Sequence, residues 1–116
     1  MTFYNYIKSH RKRHGLNQHE LAYLLGTSHA STVSRIEKDQ QKPSLEDMIA
    51  LEMIFQMNMS QLFPDLYQFV SNKVLYRIDL FQQNLDEGDM TLENIEKMNT
   101  LKTIRSKIAK ANKAKV

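Results

Sequence analysis

The fold of this chain is decided by residues 15–37, which read GLNQHELAYLLGTSHASTVSRIE. Gly15 is suited to the left-handed position that follows the last turn of a helix, because it has no Cβ. Asn17 and Glu20 have the spacing of a capping box, in which each side chain accepts a hydrogen bond from the other residue's backbone N–H. The pattern therefore predicts that one helix ends near Gly15 and that a second, short helix occupies residues 18–25.

A third helix is predicted over residues 30–39. Gly26 ends the preceding helix, and the turn at residues 27–29 contains hydroxyl side chains that can cap the next one. Val33 and Ile36 recur at helical spacing and are expected to face inward. The stretch thus predicts two short helices joined by a tight turn.

The same criteria predict helices on both sides of this pair. Residues 3–14 carry a stripe at helical spacing, and Ser44 with Asp47 caps a helix over residues 45–56. A short helical turn follows and is expected to stop at Pro64. The first stripe is Phe3, Ile7, Arg11 and His14, and the other side chains expected in the core are Leu21, Leu24, Leu25, Val33, Ile36, Leu45, Met48, Ile49 and Phe55.

Beyond Pro64 the apolar spacing predicts two long amphipathic helices. A polar turn at residues 86–89 separates them, and Thr91 caps the second. Such helices form an antiparallel hairpin, and each has an apolar stripe that another surface must cover. The stripes are Leu66, Val70, Val74, Ile78, Phe81 and Leu85, and then Ile95, Met98, Leu101, Ile104, Ile108 and Ala111.

The sequence therefore predicts an all-α protein of two parts. Residues 1–64 form a five-helix domain, and residues 65–116 form a two-helix extension with a basic tail. The length of 116 residues and the apolar content of 41% are sufficient for one compact domain with such an extension. Because no apolar run is long enough to span a bilayer and the first residues do not resemble a signal peptide, a soluble, cytoplasmic protein is expected.

Composition narrows the classes of function. The chain has no cysteine, which excludes a disulfide framework, a thiolate zinc site and a cysteine nucleophile. Its three glycines form no phosphate-binding loop, and no nucleophile–base pair has supporting context, so an enzyme is not expected. His10, His14 and His19 are close in sequence but lack further ligands at ordered spacing, so neither a metal site nor a cofactor is expected.

Charge is distributed in three blocks. Residues 1–42 carry seven Lys/Arg and three acids, residues 43–96 carry two and ten, and residues 97–116 carry seven and none. The first block is suited to a phosphate backbone. The last is compatible with DNA, RNA or a membrane surface, or only solubilises a helix; beyond Lys97 its cations are Lys102, Arg105, Lys107, Lys110, Lys113 and Lys115.

The decisive stretch and its surroundings resemble the phage-repressor and Cro type of helix-turn-helix, the Xre-like family. The resemblance rests on GLNQ-x-ELA at 15–22, LG at 25–26, VSRIE at 33–37, PSL at 43–45 and LF at 62–63. It implies a DNA-binding domain whose third helix enters the major groove. Because the turn is one residue longer than in the commonest form, the assignment of base-facing positions among His29, Ala30 and Ser31 stays open.

The resemblance implies roles for individual residues. Gln18 is expected to contact a phosphate and to brace the recognition helix. Arg35 is the strongest candidate for base reading, since its guanidinium can donate two hydrogen bonds to guanine O6 and N7. The other residues expected on the outer face are His29, Ala30, Ser31 and Ser34, while Thr32, Lys38 and Lys42 are expected to contact phosphates.

Arg11 and Glu37 are expected to be structural. The resemblance implies a buried ion pair between an arginine of the first helix and a glutamate that ends the recognition helix. Simpler interpretations stay open for two other residues: Arg35 could pair with Asp39 one turn later, and Gln18 could be a capping or surface residue. Thr32, too, could be a capping or surface residue.

The expected function is transcriptional regulation, more often repression, by a homodimer that binds double-stranded DNA at an inverted repeat. Residues 65–111 are the expected dimer interface, although they could pack on the amino-terminal domain instead. A second hypothesis is an antitoxin-like or adaptor protein whose carboxy-terminal helices bind a partner protein.

Overall fold

The computed structural model describes residues 3–27 and 29–113, and all regular secondary structure within these ranges is helical. The helices are α1 Ile7–Arg13, α2 Gln18–Leu25, α3 Ala30–Glu37, α4 Leu45–Phe55, α5 Met59–Leu62, α6 Pro64–Asp86 and α7 Leu92–Lys113. The prediction of an all-α protein, with five short helices followed by two long ones, is confirmed. By its contacts the chain falls into two compact units, the first ending at Tyr67 and the second beginning at Gln68.

The first unit has one apolar core to which each of its five short helices contributes. The side chains with almost no solvent exposure come from all of them: Ile7, Leu21, Val33, Leu51 and Leu62. Burying a side chain of this size contributes roughly 1.5–3 kcal/mol. The core therefore fixes the positions of α2 and α3.

The local signals at the helix ends behave as the sequence predicts. The Asn17 side chain accepts the Glu20 N–H at 2.8 Å, and Glu20 accepts the Asn17 N–H at 2.9 Å. Gly15 and Gly26 have φ of +72° and +79°, in the left-handed region that favours glycine. Ser44 and Asp47 form the second predicted capping box. Ser28, in the predicted turn, lies outside the described residues.

The first helix begins at Ile7 and not at Phe3, because the preceding segment is bonded to the rest of the unit. The Phe3 N–H donates to Asp39 Oδ2 at 2.6 Å, and the Tyr6 N–H donates to the Leu62 carbonyl at 2.9 Å. Asn5 is buried, and its Nδ2 donates to the Ile36 carbonyl at 3.1 Å. Residues 3–6 therefore connect α3 to α5, and the predicted helical stripe is wrong at its first member.

The third helix ends at Glu37, two residues earlier than predicted. Asp39 has φ of +56° and occupies the position that glycine takes at the ends of α1 and α2. The Gln40 N–H then donates to the Arg35 carbonyl at 2.8 Å, which closes the helix end. Aspartate tolerates this conformation better than most residues, and its bond to Phe3 holds it there.

Three residues predicted to be buried are largely exposed: Leu24 by 50%, Leu45 by 74% and Ile49 by 46%. Helix α4 is apolar around most of its circumference, so the sequence does not show which stripe faces the core. The structure turns Leu51 and Phe55 inward. Leu45 and Ile49, with Met53, form an exposed stripe on the opposite side of the helix.

Pro64 ends one helix and begins the next. It is the first residue of α6, where its missing N–H is not needed and its fixed φ suits the helix. In the second unit α6 and α7 pack through Ile78, Leu85 and Leu101, with Met98 and Ile104 half-buried beside them. Thr91 caps α7 as predicted, accepting the Asn94 N–H at 3.1 Å.

Candidate nucleic-acid interface

The candidate interface is built on the pair α2 and α3. Leu21 and Ala22 are buried on α2, which packs against α3. Val33 and Ile36 are buried on α3. One side of α3 is therefore fixed in the core, and the opposite side is left on the surface.

An ion pair fixes the carboxy-terminal end of α3. Arg11 Nε lies 2.6 Å from Glu37 Oε2, and Arg11 Nη2 lies 3.2 Å from Glu37 Oε1, so the contact is bidentate. The two side chains are only 8% and 3% exposed. Arg11 Nη1 also donates to the Leu16 carbonyl at 3.0 Å, which ties the α1–α2 turn to the same pair. The structure thus brings together the two residues expected to be structural.

Gln18 joins this pair from the start of α2. Its Nε2 donates to Glu37 Oε1 at 3.1 Å. A side-chain amide nitrogen carries two hydrogens, so one N–H can bind Glu37 while the other points elsewhere. The bracing role expected of Gln18 and its phosphate contact are therefore chemically compatible.

The outer side of α3 is a stripe of exposed side chains. Ser31, Arg35 and Lys38 lie at helical spacing on this face, and all three are exposed. Thr32 and Ser34 flank it and are half-buried. Together with the exposed His29, which is the N-cap residue of α3, they form a continuous polar surface.

Ala30 lies at the edge of that surface. It precedes Val33 by three residues and Ser34 by four, and it is half-buried, as Thr32 and Ser34 are. Its expected place on the outer face stays a prediction. Of the three residues left open by the longer turn, His29 and Ser31 are the exposed ones.

Arg35 is held by neighbours that the sequence did not identify. Its Nε donates to Gln41 Oε1 at 2.9 Å, and its Nη2 makes a longer contact of 3.4 Å with Thr32 Oγ1. Asp39, the alternative partner, instead accepts from Phe3 and pairs with Lys42. With Nε occupied, the two Nη groups remain at the end of the guanidinium for a two-pronged contact.

Lys42, a predicted phosphate ligand, already makes two contacts within the first unit. Its Nζ lies 3.7 Å from Asp39 Oδ1 and 4.9 Å from the centroid of the Phe3 ring. The ammonium group is nevertheless well exposed, so the pair is weak and solvent-screened. A phosphate would have to compete with both contacts.

Two residues of the site were missed. Gln41 positions Arg35, and Asn5 bonds the Ile36 carbonyl near the end of α3. Gln41 follows the recognition helix closely in sequence, which is a weak signal. Asn5 had no sequence signal, because its role depends on the path of residues 3–6.

His10 of α1 and His14, which follows the last residue of α1, pack against an aromatic ring. The ring centroids of His10 and His14 lie 6.0 Å and 5.3 Å from that of Phe55. Burial lowers the pKa of His10 below its ordinary 6.5, and Arg13 and His14 lower it further by charge repulsion. Within the described ranges no group of three or more His, Asp or Glu side chains is arranged to hold a metal ion. Nor does any helix there have the length and apolarity to cross a membrane.

Comparison with known proteins gives one match. The family model described as helix-turn-helix matches residues 7–62, the segment that contains α1 to α5. No curated protein and no solved structure matches the chain significantly.

Proposed function

We propose that this chain, whose residues 7–62 belong to the Xre-like helix-turn-helix family, is a transcriptional repressor that binds an inverted repeat of double-stranded DNA as a homodimer. The family is one of DNA-binding regulators. The observation that carries the proposal is the division of α3 into two sides. Its inner side is fixed by the core and by Arg11, Glu37 and Gln18, while its outer side presents Arg35 among small polar residues.

Arg35 is proposed to read a guanine in the major groove. The groove is about 12 Å wide and admits one helix. A good bidentate contact discriminates by about 1–3 kcal/mol against the wrong base. Ser31, Ser34 and His29 are proposed to approach neighbouring base edges, where hydroxyls specify less because they both donate and accept.

Phosphate contacts are proposed on both sides of this surface. Gln18 can direct its second amide N–H toward a phosphate at the start of α2. Lys38, Thr32 and Lys42 can do so around the end of α3. These contacts fix the position of the domain on the duplex and make its affinity depend on salt.

Dimerisation is proposed through the second unit. The hairpin leaves a mainly apolar groove in which Val70, Val74 and Phe81 are exposed. Its other lining residues are Ile78, Leu101, Lys73 and Arg77. Covering these side chains with a second copy would remove them from water, which is favourable. A two-fold dimer reads half-sites about 34–36 Å apart, or at multiples of that distance, and so selects an inverted repeat.

The decisive experiment is selection from a random duplex pool at fixed salt, with wild type, Arg35→Ala and Lys38→Gln in parallel. We expect wild type to enrich an inverted repeat, Arg35→Ala to lose one base preference in each half-site, and Lys38→Gln to keep the sequence and lose affinity. If wild type enriches no sequence, the proposal fails.

The same groove supports a second candidate, a protein that binds a partner through its carboxy-terminal helices. The two candidate functions predict different oligomeric states for the free protein. A regulator of the first kind is a dimer by itself, whereas a protein that keeps the groove for a partner is a monomer until that partner is added.

A further inference from the structure

One side of α7 carries several positive charges that are not part of the proposed DNA-reading surface. Lys102, Thr103, Ser106, Lys107 and Lys110 line a shallow groove, and all five side chains are exposed. Their spacing places them on one face of the helix. We call these five residues the basic face.

The charge of the basic face is not neutralised within the part of the chain that the structure describes. Residues 97–116 contain no acid. Across residues 3–27 and 29–113 the ion pairs are Arg11–Glu37, Lys42–Asp39 and Arg105–Asp79. Since none involves a lysine of the basic face, these ammonium groups are available to an external anion.

The rest of α7 argues against a membrane as that anion. Surface-binding helices insert an apolar face into the lipid while their basic residues contact the headgroups. In α7 the apolar side is used inside the hairpin, where Leu101 is buried and Ile104 is half-buried. Between the lysines lie Thr103 and Ser106, which are small polar residues and present no large apolar side chain for insertion into lipid.

The chemistry of the basic face suits a row of phosphates. Along the helix axis Lys102 and Lys110 are about 12 Å apart, at 1.5 Å per residue. One strand of B-DNA has a phosphate about every 3.4 Å along its axis, so this row spans about three to four phosphates. Each ammonium offers three donors, and the Ser106 hydroxyl can donate as well.

We propose that the basic face of α7 binds the phosphate backbone of the same duplex DNA that α3 reads. The inference rests on the proposed function for its ligand, because it is the helix-turn-helix in the same chain that brings α7 to DNA. Backbone contacts of this kind add affinity and salt dependence without changing which sequence is chosen.

The test measures the salt dependence of binding to the selected duplex, embedded in longer flanking DNA. The variants are Lys102→Gln, Lys107→Gln and Lys110→Gln, singly and together. Each lost contact is expected to reduce the slope of log K against log salt by about 0.9, and the triple variant by about 2.7 per chain. Lys97→Gln is the matched control, since Lys97 is exposed on the other side of α7.

Glutamine has a helix propensity close to that of lysine, and helicity by circular dichroism checks that α7 is retained. A triple variant that is fully helical and keeps the wild-type slope overturns the inference, while wild-type selection of an inverted repeat still supports the proposed function. If wild type selects no sequence, the slopes are measured on a duplex of arbitrary sequence. A slope that falls in the triple variant then leaves the backbone contact standing while the proposed function fails.

RNA and lipid are tested as competing ligands with the same variants. A duplex RNA and vesicles of phosphatidylserine with phosphatidylcholine replace the DNA at matched salt. If binding to the RNA or to the vesicles depends on the three lysines, while binding to DNA does not, the inference is overturned. Lys115 and the Lys113 side chain lie outside the described structure and are left unchanged in every variant.

Discussion

Glu37 connects the stability of the first unit to the orientation of α3. Its carboxylate accepts from Arg11 twice and from Gln18 once, and the Arg11 and Glu37 side chains are almost fully buried. Glu37→Ala leaves the Arg11 guanidinium buried and unpaired, and the loss of one partner from such a pair costs about 3–5 kcal/mol. We expect a lower melting temperature together with weaker DNA binding.

Gln18→Ala is the matched control for Glu37→Ala, because it removes one hydrogen bond and leaves the ion pair in place. Its expected cost is about 1 kcal/mol. Thermal unfolding of both variants measures the difference. A Glu37→Ala protein as stable as wild type, with only its DNA affinity reduced, would show that the pair does not hold the fold.

Gln41 is one of the two site residues whose roles the sequence did not predict. Because its Oε1 accepts from Arg35 Nε, it limits the orientations of the guanidinium before DNA arrives. For Gln41→Ala we expect a loss of about threefold to tenfold in affinity for the selected duplex, as for one hydrogen bond. Binding to unrelated DNA is expected to change little.

The control for Gln41→Ala is Gln40→Ala, the exposed neighbour, measured on the same two duplexes. Gln41→Ala in the Arg35→Ala background tests the mechanism. If the two effects add fully, Gln41 acts by some route other than positioning Arg35.

At the scale of helices, α1 and α4 meet at a contact that responds to pH. The pKa of His10 is lower in the folded chain than its unfolded value of 6.5, so the unfolded chain binds more protons in the pH range below 6.5. Stability is therefore expected to fall as the pH drops through this range. His10→Gln should make that fall smaller.

The measurement is the melting temperature of wild type and His10→Gln at about pH 7.5 and about pH 5.5, on either side of the ordinary histidine pKa. His19→Gln controls for the loss of one exposed histidine. An identical acid-induced change in wild type and His10→Gln would rule out a contribution from this contact.

Helix ends that depend on neighbouring residues were predictable, and those that depend on distant residues were not. The capping boxes at Asn17 and Ser44 and the glycine ends of α1 and α2 are local chemistry. A further capping box, Asn58 with Gln61 at the start of α5, has the same signature and was overlooked. The early end of α3 and the late start of α1 involve bonds between distant residues, such as the one between Phe3 and Asp39, 36 residues apart.

The site residues within the family pattern were predictable from the sequence, and their neighbours from other segments were not. The family pattern identifies the stripe that contains Ser31 and Arg35 and the partners Arg11 and Glu37. It does not identify what surrounds them, because the positions of Gln41 and Asn5 depend on the loop after α3 and on the segment before α1. Apolar periodicity failed in α4, where an apolar stripe faces solvent as well as the core.

At the scale of the molecule, the exposed apolar surface suggests an oligomer. The hairpin leaves Val74 and Phe81 exposed beside its own small core. We expect wild type to sediment as a dimer at tens of micromolar, and Val74→Glu and Phe81→Glu to sediment as monomers. Both positions are open to solvent in the single chain, so a charge there should not unfold it.

Ile49→Glu is the control for the dimer, because it places the same charge on the exposed stripe of α4. It is expected to leave the dimer intact. A strictly monomeric wild type would contradict the dimer, and dissociation by Ile49→Glu alone would move the interface to the first unit.

The separation of the two sides of α3 has a consequence for engineering and for evolution. Ser31, Ser34 and Arg35 stand apart from the buried network of Arg11 and Glu37. Their replacement should therefore cost little stability, and the domain can tolerate many combinations at these positions. A library that varies the outer face while retaining Arg11, Gln18 and Glu37 should consist largely of folded proteins, from which new operator preferences can be recovered without redesigning the scaffold.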